Sequence, residues 1–369
     1  MKKYEFIDSL RGIAILGVIF VHTSKSITSL NPILLSVCNF GKHGVQLFFL
    51  LSAYTLCLSN QNRRSEFNSK TKYFIRRFFR IAPLYYFGIG LYGIVFILRN
   101  YYGVETYLLT TKYSTLSVIQ HLTFTQSLSQ DSIFAVVPGG WSIGAEMLFY
   151  LMFPFLFDIF SKLSSMAFLF LIPFLALVIV FVFFRALPHI FPPLSDHNFN
   201  FYYCTILNQI PIFLIGISFF FLSSNTIVKS STGWLFLIIF ILTIGILNIL
   251  YFKQIRDISL FPFTVALSMT FLISAFRSLA FLNVKPLQLI GRLSYSIYLF
   301  HFIFAWGLSS YINKNLSPYL NSSFILVICL FVVIFCSIIM ATLTKHLIED
   351  KGIALGNTII NKFIKPQNA

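Results

Sequence analysis

The sequence predicts an all-α integral membrane protein, with about ten transmembrane helices in one bundle and both termini cytoplasmic. Three observations carry this. Of 369 residues, 57% are hydrophobic and only 10% charged, whereas a soluble domain needs about a quarter of its residues charged to cover its surface. Apolar windows long enough to cross a bilayer recur from one end of the chain to the other. The 27 Lys and Arg residues, which give a net charge of +16, gather between alternate windows, as the positive-inside rule requires.

Taken in order, windows bounded by charges, Pro or Asn place the spans near 8–27, 41–60, 81–99, 139–160, 164–184, 203–222, 234–252, 259–277, 287–308 and 323–344. The first follows Met1-Lys2-Lys3 and reads as a span, because Arg11 interrupts the apolar run and no small-x-small cleavage site precedes His22-Thr23-Ser24-Lys25. Seven basic residues between Gln61 and Arg80 form the main cytoplasmic loop, and 19 of the 27 fall on the cytoplasmic side in all. Most of the positive charge is thereby assigned to anionic lipid at the inner surface, with no nucleic acid needed. Residues 115–137 are apolar but short and broken by polar groups, which fits an interfacial or re-entrant piece better than a span. The tail from Lys345 to Lys365 alternates basic and apolar residues. It predicts an amphipathic helix along the inner surface. Residues 1–350 then form the transmembrane domain and 351–369 a cytoplasmic tail.

Phe (46) and Tyr (18) supply most of the aromatic content, suiting packed helices with rings at the membrane interfaces. The five cysteines show no C-x-x-C spacing and sit mostly in apolar runs, so neither a disulfide framework nor a metal site is expected. His189, Asp196 and His197 share an outside loop, in a spacing that matches no metal motif.

Polar groups deep in a span are costly and therefore few enough to weigh singly. Arg11 and His22 lie eleven residues apart in the first span. At about 100° per residue they share one helix face, roughly 16 Å apart along the axis. Arg11 is placed to hold a phosphate near the cytoplasmic surface and His22 to move a proton well across the bilayer. The alternative is that Arg11 snorkels to lipid phosphate and His22 bonds a neighbouring helix; the two residues alone leave both readings open. Arg77 and Arg80, three apart, form a pair that can grip a multiply phosphorylated group. A basic stop-transfer cluster explains them equally well. Glu146 is the one acid deep inside a span and predicts an Arg or His partner on another helix. Trp141 reads equally as an interface anchor, and His301 more readily as a structural hydrogen-bonding group than as a ligand.

Several chemistries are excluded. No His is followed five positions later by Asp, so H-x4-D is absent, and there is no P-loop or H-E-x-x-H. Gly140-x-Ser142-x-Gly144 and Gly88-x-Gly90-x-x-Gly93 match the nucleophile-elbow and dinucleotide patterns in letters only, since each lies in an apolar window read as a membrane span and not at a strand-to-helix turn. No repeat of fixed period supports an inverted-repeat transporter, although a transporter or flippase for a glycan or lipid intermediate is the alternative that would also place charges in the membrane. A structural membrane subunit is a third.

Ile7-Asp8-Ser9-Leu10-Arg11-Gly12-Ile13-Ala14 leading to His22 gives R-x10-H. Gly44 to Ser52, Arg77-x-x-Arg80 with Pro83, Gly139-Gly140-Trp141-Ser142-Ile143-Gly144-Ala145-Glu146 with Pro154, and Ser294 to His301 follow in order. Together these blocks resemble the membrane-bound acyltransferase-3 family, bacterial O-acetyltransferases of O-antigen and other surface glycans, over residues 5 to about 350. The chain departs from the family pattern at Gln46 (usually Asp), at Ala53-Tyr54 (commonly Gly-Phe) and after Glu349-Asp350, where Pro is common. No SGNH hydrolase-like domain is expected after the last span. The resemblance implies transfer of an acyl group, most often acetyl, from cytoplasmic acyl-CoA to a glycan or lipid-linked sugar hydroxyl outside a bacterial inner membrane. Acetyl-CoA would be a co-substrate, with no bound cofactor and no metal. Acyl-CoA, the glycan acceptor and the bilayer are the expected partners, and a second copy of the chain is left open. Carried over by position, Arg11, Arg77 and Arg80 hold the CoA phosphates, His22 acts as general base and Glu146 orients it. Trp141, Ser294 and His301 are acceptor-side or structural.

Overall fold

The computed structural model describes residues 4–102, 113–163, 165–190, 196–223, 229–254 and 257–364, with side chains except at 187–190 and 196–199. The side chains of His189, Asp196 and His197, and residues 365–369 of the expected tail, lie outside the described residues. The helices, in order, are α1 (Glu5–Ser24), α2 (Pro32–Phe40), α3 (Gly44–Gln61), α4 (Ser69–Tyr102), α5 (Thr115–Leu122), α6 (Gly140–Phe160), α7 (Met166–Ile190), α8 (Asp196–Cys204), α9 (Ile206–Ser223), α10 (Ser230–Phe252), α11 (Leu260–Ser278), α12 (Lys285–Arg292), α13 (Ser294–Phe302), α14 (Ser309–Leu316), α15 (Ser322–Thr344) and α16 (Asp350–Phe363). Among the described residues there is no strand. Nine helical runs among the described residues are long and apolar enough to cross a membrane. A tenth is formed by α12 with the helix from Ser294 to Leu316, bent by 69° at Leu293.

The protein is thus an all-helical membrane bundle, and α1 is its centre. Gly12 and Gly291 let α1 and α12 touch backbone to backbone: a Cβ on Gly12 would meet the Leu287 carbonyl, and one on Gly291 the Asp8 carbonyl. Gly17 lies against Gly41 in the same way. Small residues replace the hydrophobic drive that is missing between helices in lipid. Leu10, Ile15 and Ile19 are consequently fully buried. The abundant Phe residues fill the layer beyond: the Phe213 ring stacks on Phe149 with centroids 4.0 Å apart and packs against Phe49 at 4.5 Å. At the periphery α10 buries only Gly233 fully; Leu237, Phe240 and Ile244 pack against the core, while Leu235, Ile238, Leu242 and Ile246 face outward, as on a lipid-facing helix.

Two segments depart from expectation. α4 begins at Ser69, so Arg76, Arg77 and Arg80 ride on a helix that continues out of the span, where a loop was expected. Its 34 residues extend about 50 Å against a hydrocarbon core of about 30 Å. The tail continues α15 through a π turn (Lys345–Glu349) into α16. There α16 docks along α4, Gly352 against Pro83 and the Phe79 carbonyl and Gly356 against the Phe79 side chain. The expected amphipathic character survives on its outer side, where Leu355 and Phe363 are exposed.

The segment 115–137 does not cross. α5 is followed by irregular backbone to Gly139 in which Gln126, Ser127, Ser132 and Val137 are buried. Such backbone is tolerated at membrane depth only when protein covers it.

Candidate functional site

Two polar centres lie along α1, one near each end. At the Arg11 end a cavity of about 440 Å³ is lined by Arg11, Arg63, Arg76, Arg77 and Arg80, with Asp8, Tyr73, Thr55 and Asn357 among the other walls. α1, α3, α4 and α16 all contribute, so both ends of the chain meet here. Glu66 binds Arg76 at 2.7 Å and approaches Arg63 at 3.8 Å, and Asp8 approaches Arg292 at 3.7 Å. Arg11, Arg77 and Arg80 are held differently. Arg11 donates to Thr55 Oγ1 at 3.4 Å. The Arg77 guanidinium lies over Tyr73 and Tyr150, 5.9 and 5.7 Å from the ring centroids. Arg80 has no ion pair or hydrogen bond among the described residues. Five guanidinium groups surround one small cavity, and although Glu66 pairs with two of them, Arg11, Arg77 and Arg80 remain as a cluster suited to a polyanion.

Glu146 belongs to this end. Its carboxylate accepts from Ser52 Oγ at 2.5 Å and from the Tyr150 hydroxyl at 2.6 Å, and it is a charged neighbour of both Arg11 and Arg77. Among the described residues no contact joins it to His22, so the expectation that Glu146 orients that imidazole is corrected. Six residues into α6, the carboxylate lies about 9 Å along the axis from the helix start that packs by the histidines.

At the other end, the half-buried His22 ring packs 4.4 Å from Phe302, 5.3 Å from His301 and 5.8 Å from Trp306, centroid to centroid. His301 Nδ1 is 2.8 Å from the Tyr298 carbonyl and 3.2 Å from that of Ile297. Carbonyls only accept, so the neutral ring carries its proton on Nδ1 and a lone pair on Nε2. That Nε2, and Nδ1 of His22, are buried with no hydrogen-bond partner. The α6 start closes this centre: Ser142 donates to the Tyr298 hydroxyl at 2.7 Å, which donates to the Gly139 carbonyl at 3.1 Å. Gly139 takes φ +73° with Phe302 and Tyr298 crowding the place of a Cβ, so glycine is required on both counts.

The remaining sequence candidates fall as follows. Trp141 is half-buried, edge-on to Phe49 at 6.2 Å. Ser294 is buried beside the bend at Leu293, and its neighbours Tyr295 and Ser296 bond the Ile81 carbonyl and Glu349. Seven residues, about 10 Å of helix, separate it from His301, so it sits towards the arginine end and away from His22 and His301. Gln46 is buried among His43, Tyr203 and Gln209, groups that an amide can both donate to and accept from. No group of three or more His, Cys, Asp or Glu able to hold a metal occurs among the described residues. Tyr73, Ser52, Tyr150, Arg63, Arg76 and Asn357 were not anticipated. Tyr73 and Tyr150 had a signal, each one helical turn from Arg77 or Glu146, and Arg76 adjoins Arg77 on α4; Ser52, Arg63 and Asn357 come from other parts of the chain.

No curated protein and no solved structure matched the chain. Residues 4–342 match the family model described as an acyltransferase domain, which takes in every element that builds the two centres except α16. The chain therefore belongs to the acyltransferase-3 family and is a membrane acyltransferase.

Proposed function

We propose that the protein transfers an acyl group, most simply acetyl, from acyl-CoA at the arginine end to a hydroxyl of a glycan or lipid-linked sugar at the histidine end, across a bacterial inner membrane. The observation that carries this is the placement of an arginine-lined cavity and an imidazole near opposite ends of one central helix. Arg11 and His22 are roughly 16 Å apart along α1, about the reach of a pantetheine arm. Arg77, Arg80 and Arg11 take the CoA phosphates from the cytoplasm, and the thioester runs up inside the bundle. His22 accepts the proton of the acceptor hydroxyl as its oxygen attacks the thioester carbonyl. The carbon–sulfur bond breaks, and the proton passes to the departing thiolate. Glu146 and Tyr150 hold the arginine wall in register.

The test is acetyl transfer from labelled acetyl-CoA in membranes from producing cells. His22→Ala is expected to remain folded and to bind CoA while transferring no label. Transfer at the wild-type rate would overturn the reading.

A further inference from the structure

His121 shows how a purely structural histidine is held in this molecule. Its Nδ1 accepts from the Tyr85 hydroxyl at 2.7 Å and its Nε2 donates to the Ser132 carbonyl at 3.0 Å, so neither nitrogen is left over. His301 is held by one edge only. Its Nδ1–H is bound by carbonyls of its own helix, and Nε2, on the far side of the ring, is a buried acceptor without a donor. His22 presents the complement, a buried Nδ1 without a partner. Two orphaned buried polar atoms on adjacent rings are costly unless they serve each other. The centroid separation of 5.3 Å matches the roughly 5.2 Å that two imidazoles adopt when an N–H···N hydrogen bond of normal length joins them. The two nitrogens are not bonded as the rings stand, tilted by 52°, so the bond requires the half-buried His22 ring to turn while His301 keeps its carbonyls.

We infer that His301 is the positioning residue for His22: its Nε2 accepts a hydrogen bond from His22 Nδ1–H, fixing the tautomer that leaves the His22 Nε2 lone pair for the acceptor hydroxyl. This rests on the transferase reading above. The chain of groups runs from the Tyr298 carbonyl through His301 Nδ1–H and Nε2 to His22 Nδ1–H and Nε2. In the step, the hydroxyl proton moves to His22 Nε2, the hydroxyl oxygen bonds the thioester carbon, and the carbon–sulfur bond breaks. The imidazolium formed keeps its Nδ1–H on His301 and returns the other proton to sulfur, giving the ester and free CoA thiol. Phe302 and Trp306 wall the pair, which keeps water from competing for the His22–His301 bond. A base oriented by a second neutral acceptor follows the logic of a catalytic triad with imidazole in the carboxylate's place.

The experiment compares His301→Gln with His301→Phe, beside His22→Ala, for acetyl transfer from labelled acetyl-CoA in native membranes, with CoA affinity measured on each purified protein. Gln can donate its amide to the Tyr298 carbonyl and offer its oxygen to His22, whereas Phe keeps the volume without an acceptor. His301→Phe is expected to lose about a hundredfold in kcat with CoA affinity and donor KM within twofold of wild type. His301→Gln should recover at least tenfold over Phe. Side-chain ¹⁵N NMR of labelled histidine should show His22 in one tautomer in the wild type and Gln proteins, and in a mixture in the Phe protein. Full activity in His301→Phe overturns the inference and leaves the transferase reading standing, as does equal loss in both variants with CoA affinity retained. Full activity in His22→Ala overturns both. Should His301→Phe not accumulate in the membrane, His301→Leu against His301→Gln makes the same comparison.

Discussion

Arg77 lies over two ring faces as well as near the Glu146 carboxylate: Tyr73 lies one turn before it on α4, and Tyr150 comes from α6 with its hydroxyl bound to Glu146. A planar cation that rests against ring faces leaves its edge N–H groups for a phosphate. Replacing Arg77 and Arg80 together by Ala should weaken CoA binding roughly a hundredfold, at about 1.5 kcal/mol for each charge-assisted hydrogen bond removed. Arg77→Lys should restore little, because an ammonium neither stacks nor forks. Isothermal titration of the purified protein reads both, and a lysine variant with wild-type affinity would reduce Arg77 to a point charge. The partner of Glu146 was only half legible in the sequence. Tyr150, one turn along the same helix, could be read from spacing, but Ser52 comes from α3 and depends on how two helices pack.

The irregular segment after α5 is held by a buried network, and here the physics is that of side chains standing in for a helix ladder. Gln126 Nε2 donates to the Tyr85 hydroxyl at 2.9 Å and to the Gly140 carbonyl at 2.8 Å, and Ser132 donates to Ser117 Oγ at 3.0 Å. The segment therefore ties α4 to the start of α6, which closes the histidine centre. Its polar breaks were visible in the sequence; its path was not, because the partners lie on other elements. Burial pushes His121 down to about 4, and its bond to the Ser132 carbonyl only partly opposes this. The folded value lies below the ordinary value of about 6.5. Above that pH the ring is neutral in both states. Between about 6.5 and 4 the unfolded chain takes up a proton that the folded one refuses, so stability falls as pH falls, by up to about 3 kcal/mol. Melting in detergent from pH 7 to 4.5 should show this loss in the wild type and a shallower one in His121→Gln. Parallel curves would remove His121 as its source.

At the scale of the whole molecule, composition and window spacing were enough for a bundle of about ten spans, because the bilayer permits little besides helices of fixed length. Of the five-arginine cavity, Arg11, Arg77 and Arg80 were grouped from the sequence by the family resemblance, whereas Arg63, Arg76 and the enclosing walls were not, since they depend on which helix ends meet. Its last wall comes from α16, which lies beyond the residues matched by the family, 4–342, yet places Ile353 and Asn357 on the cavity. What holds this wall is close packing on α4: a Cβ on Gly352 would stand 2.7 Å from Pro83 Cγ and 2.8 Å from the Phe79 carbonyl oxygen. The second of these is backbone and cannot step aside, so any larger residue must push α16 outward, at a cost of about 1–3 kcal/mol. Gly352→Val should therefore enlarge the cavity at its Ile353 and Asn357 side and weaken CoA binding about tenfold. Gly245→Val, on the lipid-facing α10 where nothing lies within 4 Å, is the control and should change neither binding nor melting temperature. Unchanged CoA affinity in Gly352→Val, with the melting temperature lowered, would mean that α16 braces α4 without forming part of the donor site.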